Sequence, residues 1–99
     1  MKYNFGINTG FAVNRFCEPD HLFKFIKQDL KINNVQLSAD LLSPFYENKI
    51  LSKQIKKYKK EIRKNSIHIS SLFTGAFTRL NHLAHSDKGI QKFWIKWFK

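Results

Sequence analysis

The chain has 99 residues, a 42% hydrophobic composition, a formal net charge of +11 and a single cysteine. That length allows one domain, residues 1–99, and the lone Cys17 excludes an internal disulfide. No apolar run is long enough to span a bilayer and "MKYNFGIN" lacks the apolar stretch of a signal peptide, so a cytoplasmic protein with no membrane partner is expected.

"KYNFGIN", residues 2–8, reads as a strand, because Tyr3, Phe5 and Ile7 alternate with Asn4, Gly6 and Asn8. After a loop, "EPDHLFKFIKQDL" reads as a helix with Pro19 in its first turn and Leu22, Ile26 and Leu30 on one face. "NVQLSAD" reads as a second strand, Val35 and Leu37 against Gln36 and Ser38. A polar loop with Ser43 and Pro44 leads to a long helix from about Asn48 to Lys64. Its apolar stripe is Leu51, Ile55, Tyr58 and Ile62, spaced four, three and four apart. Lys53, Lys56, Lys57, Lys59, Lys60, Arg63 and Lys64 fill the other faces, against one acid, Glu61. Such a charge run can mark a nucleic-acid stripe. No aromatic stacking set accompanies it, so a solvated face is favoured and a nucleic-acid partner disfavoured.

Asn65 and Ser66 read as a short turn, and "IHISSLF", residues 67–73, as a third strand with Ile67, Ile69 and Phe73 opposite His68 and Ser70. A long polar connection follows. Ser86 can cap a final helix whose stripe is Ile90, Phe93, Trp94, Trp97 and Phe98, a pattern expected of core. The order is βαβαβα with a period just above thirty residues, which implies parallel strands with right-handed crossovers. Helix-to-strand turns of two or three residues alternate with longer strand-to-helix loops, which gather at the carboxyl ends of parallel strands. Each strand also has a polar side, which favours a barrel over an open doubly wound sheet. Asn8, Asp40 and Thr74 would then converge at the barrel mouth.

The motifs taken alone are weak. "GINTG" has neither the spacing of a dinucleotide fingerprint nor the lysine of a phosphate loop. His82 and His85 have the separation of a metal pair, but zinc needs three or four protein ligands. His68 is expected to be a hydrogen-bonded interior histidine. Arg79 could clamp an anion. Asp40 could be a base, an orienting acid or a cap, and no second carboxylate pairs with it in the sequence.

"FGINTGFAVNRF", "VQLSADLLSP" and "LFTGAFTRLNHLAHSD" together resemble the start of sugar phosphate isomerase/epimerase proteins with the xylose-isomerase-like TIM barrel. A similar subgroup acts on short ketose phosphates of the erythrulose phosphate type. The resemblance implies an α/β fold made of the N-terminal three βα units of a (β/α)8 TIM barrel with parallel strands, truncated at the C-terminus. It implies a full-length enzyme that moves a proton next to the sugar carbonyl through an enediolate-like state. A divalent metal (manganese, magnesium or cobalt) and two catalytic glutamates would come from later strands. No metal ligand or catalytic residue is therefore assigned here, and the chain alone is expected to be inactive. Asn8, Asp40, Thr74, Arg79 and His82 would bind and orient a sugar phosphate. Unpaired strand edges would favour self-association.

Overall fold

The computed structural model describes residues 3–99; Met1 and Lys2, the latter part of the first expected strand, lie outside the described residues. The elements are β1 (Gly6–Asn8), α1 (Pro19–Gln28), β2 (Asn34–Ser38), α2 (Asn48–Lys64), β3 (His68–Phe73), α3 (Phe77–Leu80) and α4 (Lys88–Trp97). A 3-10 helix, Thr9–Ala12, follows β1 directly. The strands form one parallel sheet in the order β1-β2-β3. Chain order and spatial order coincide, as in a barrel wall.

β1 is shorter than the alternation suggests. It begins at Gly6, and Tyr3 and Phe5 stay exposed. The cause is the neighbour. Gly6 pairs with Asn34, the first residue of β2, so upstream residues have no ladder to join. Gly6 also permits a close approach, since a Cβ there would come within 3.1 Å of the Asn34 carbonyl oxygen.

The core lies between one sheet face and the two long helices. Leu22, Phe23 and Ile26 of α1, Tyr58 of α2, Val35 of β2, Ala12 and Ile67 form it, with Ile7, Leu37, Ile62 and Ile69 packed around them. Phe23 is fully buried and meets Tyr58 edge to face at 5.8 Å. Burial of one such ring contributes about 2–3 kcal/mol. Leu30 is not on this face. α1 stops at Gln28, and Leu30 follows it, partly exposed.

The connections differ in part from the expected lengths. Residues 65–67 make a short turn, but 29–33 form a longer one, turning through Lys31 at φ 55°. The long connection after β3 is interrupted by α3. Asp87, rather than Ser86, caps α4, its Oδ1 accepting the N–H groups of Gly89 and Ile90.

β3 carries the main irregularity. Val35 pairs with Ile69, but Gln36 pairs with Ser71, so Ser70 is an extra residue. Its hydroxyl donates to the Val35 carbonyl at 3.2 Å. The bulge reverses the alternation beyond it. Leu72 aligns with Leu37, and Phe73 moves to the row of Gln36 and Ser38 rather than joining Ile67 and Ile69.

α4 is not core among the described residues. Phe93 is 53% exposed, and Ile90, Ile95 and Phe98 are also exposed. Phe45 and Phe77 gather against Trp97, at 5.7 and 4.7 Å between ring centroids. No helix is long and apolar enough to cross a membrane among the described residues.

Candidate functional site

Parallel strands place three exits side by side. Asn8 ends β1, Asp40 follows β2 by two residues, and Thr74 follows β3 directly. Below these exits, on the face away from the core, the polar row is wired together. Asn8 Nδ2 donates to Gln36 Oε1 at 2.7 Å, and Gln36 Nε2 donates to Ser71 Oγ at 3.0 Å. The register makes this link, since Asn8, Gln36 and Ser71 are partners across the three strands. Asn8 Oδ1 also accepts the Gly10 N–H at 2.7 Å, capping the 3-10 helix. Its carboxamide orientation is therefore fixed at both ends, while one Nδ2 hydrogen and the Ser71 hydroxyl hydrogen stay available.

Thr9 and Ser38 are fully buried polar residues at the same level. Thr9 Oγ1 accepts the Ser38 N–H at 2.9 Å, and Ser38 Oγ donates to Asp40 Oδ2 at 2.9 Å. Asp40 Oδ1 accepts the Ala76 N–H at 3.0 Å. Asp40 thus ties the exit of β2 to the loop after β3, and both its oxygens are engaged. Gly75 makes the approach feasible. It has φ +61°, and any Cβ there would overlap the Asp40 carboxylate. Thr74 shares a 2.5 Å hydrogen bond with Thr78.

Arg79 and His82 are not joined to this group. Arg79 sits on α3 beside a shallow depression that also touches Phe73, Gly75 and Thr78, and no ion pair holds it among the described residues. The His82 ring packs edge-on to Trp94 at 6.3 Å and to His85 at 6.0 Å. His85 Nδ1 accepts the Asp87 N–H at 2.9 Å, so this pair is built into the entrance of α4. His68 does not match its expected interior role. It is exposed at the start of the polar row, paired with Asn34 on β2. Gln36 and Ser71 are the lining residues that the motifs do not single out. Gln36 is visible as a polar-side residue, but Ser71 is hidden by the bulge.

No group of three or more His, Cys, Asp or Glu side chains converges among the described residues. These residues therefore do not fit a divalent metal centre of their own. Next to the site, Leu37, Ala39, Leu42, Pro44 and Leu72 line a cleft of mainly apolar character.

No family model matches the chain. Over all 99 residues it is 28% identical to a D-erythrulose 1-phosphate 3-epimerase of Brucella abortus, of which it covers 32%. Its fold superposes on a xylose isomerase-like protein of Rhodospirillum rubrum with a TM-score of 0.89 and 28% identity, covering 98% of this chain and 33% of the other. The chain spans about a third of the length of these relatives, and over that third it is similar to an epimerase in sequence and to a xylose isomerase-like TIM barrel in fold.

Proposed function

We propose that the carboxyl-end surface of this sheet is one wall of the substrate site of a sugar phosphate isomerase or epimerase, acting on a short ketose phosphate such as D-erythrulose 1-phosphate. The observation that carries the reading is the wired row Asn8–Gln36–Ser71, set on three parallel strands of a chain similar to an epimerase over its whole length. A ketose phosphate presents hydroxyl and carbonyl oxygens on a short carbon chain. A row of oriented amide and hydroxyl groups is suited to hold them, because a site built to hydrogen-bond a hydroxyl rejects analogues that lack it.

Each residue then has a role. Asn8 donates its free Nδ2 hydrogen to a substrate oxygen, and Gln36 and Ser71 keep Asn8 and the substrate oriented. Asp40 holds the loop that carries Thr74, and Thr74 and Arg79 face the anionic end. His82 closes the outer side of that loop. Epimerisation also needs a base to remove a carbon-bound proton and a group to stabilise the resulting charge. Neither is assigned to these 99 residues, and no step is routed through a metal. The chain on its own accordingly binds and orients without catalysing.

Two measurements test this. D-erythrulose 1-phosphate titrated into the 15N-labelled chain should shift the side-chain amide signals of Asn8 and Gln36. Shifts confined to other surfaces, or none at all, would refute the wall. In deuterated water with manganese, magnesium or cobalt, no substrate proton should exchange above the solvent background. Metal-dependent exchange would show chemistry that this reading does not provide for.

A further inference from the structure

We propose that the outward face of α2 binds the phosphodiester backbone of nucleic acid without reading its sequence, a function separate from the strand-end site. Lys49, Lys53, Lys56, Lys60 and Lys64 are all exposed. Their spacing of four, three, four and four puts them on one line, opposite the apolar stripe of Leu51, Tyr58 and Ile62. The line is about 22 Å long at the helical rise. Arg63 flanks it.

The structure adds what the sequence leaves open, the position of the acid. Glu61 is the only acidic residue within α2, and it is 8% exposed, set in the groove toward α1, where only Lys60 and Lys64 of the line border it. Lys57, off the line, pairs with Glu18 at 2.9 Å. No lysine on the line has an ion pair among the described residues. Neighbouring lysines therefore repel one another along the line, with acidic groups near it only at Lys60 and Lys64. A polyanion relieves that repulsion and releases counterions.

Two features select nucleic acid over a bilayer. Tyr58 and Ile62 of α2 are committed to the core, and Ile50, 47% exposed at the first turn, leaves the helix little to insert among lipid chains. The lysines also run the length of the helix, flanked by the exposed Lys59 and Arg63, which matches the linear charge of a phosphate backbone. No aromatic side chain lies on the line, so bases are not stacked and sequence is not read.

The test is the anisotropy of a labelled mixed-sequence DNA duplex of about 20 base pairs, titrated with the chain across salt. Five lysine–phosphate contacts predict a slope of log K against log salt of about −4.5, or roughly a 500-fold loss of affinity from about 50 to 200 mM. The variant Lys53→Gln/Lys56→Gln/Lys60→Gln/Lys64→Gln should reduce the slope to about −1, since glutamine keeps helix propensity while removing the charge. Lys56→Gln and Lys60→Gln alone should each lower it by about 0.9, so the result does not depend on the fourfold variant folding. Lys88→Gln/Lys92→Gln/Lys96→Gln on α4 should leave it unchanged. Absence of binding at low salt, a slope indifferent to the α2 changes, or equal loss from the α4 changes would overturn the proposal. So would tighter binding to phosphatidylserine vesicles than to the duplex, which would assign the face to a lipid surface.

Discussion

Asp40 shows how much a single carboxylate can organise. It accepts from the Ser38 hydroxyl and from the Ala76 N–H, bridging two strand exits. Asp40→Ala should cost about 1–3 kcal/mol and raise the hydrogen-exchange rate of the Ala76 amide more than that of the β2 amides. Gly75→Ala should cost a similar amount, about 1–3 kcal/mol, because it adds left-handed strain and a clash with the same carboxylate. Chemical denaturation checks both. Tyr58 gives a pH prediction. Burial, assisted by Tyr46 and Glu18, pushes its phenol from 10.0 up to about 12. Below pH 10 the phenol is neutral folded or unfolded. Between about 10 and 12 only the unfolded chain ionises, so stability falls as pH rises through that window, by roughly 2–3 kcal/mol. Tyr58→Phe should flatten this alkaline decline, at a separate loss of about 0.5–1.5 kcal/mol for its hydrogen bond to the Leu41 carbonyl. At this scale the sequence reveals which residues follow strands, as with Asn8, Asp40 and Thr74. It does not reveal their partners, because the Ala76 N–H and the Gln36 amide meet Asp40 and Asn8 only through the tertiary register.

α2 is the element best announced by its own residues. Its four-three-four apolar spacing from Leu51 to Ile62 marks the helix, which spans Asn48–Lys64, because the helix period is a local property. Its exit is less obvious. The Ile67 N–H bonds the Ile62 carbonyl at 2.9 Å, and the Ser66 N–H bonds the Arg63 carbonyl at 3.2 Å. This is a Schellman termination with Ser66 at φ 52° where glycine is usual. Ser66→Gly should therefore stabilise the chain by about 0.5 kcal/mol in a denaturant titration, the relieved left-handed strain exceeding the added freedom of the unfolded chain. β1 and β3 were less legible than α2 for a common reason. The length of β1 is set by where β2 begins, and the face of Phe73 is set by the Ser70 bulge. Alternation within a segment carries neither fact.

In the whole molecule, the parallel order and its polar face follow from the repeat of strand and helix, while the uncovered surface does not. β1 and β3 each have one strand neighbour, and Leu72 on β3 is 77% exposed. Together with the exposed Phe93 of α4, this edge favours association. Light scattering of the isolated chain should show mass rising with concentration, and Leu72→Lys should reduce it by placing a charge on the edge. The expected α4 core failed for a related reason. Its stripe has the right period, but a period says which face is apolar, not what covers it. The same helix has a practical consequence for optical measurements. The chain has two tryptophans, and both, Trp94 and Trp97, stand on α4 with rings 6.2 Å apart. Intrinsic tryptophan emission is therefore a local reporter, blind to the sheet. A thermal melt followed by that emission should precede one followed by far-ultraviolet circular dichroism, with α4 detaching while β1, β2 and β3 remain paired.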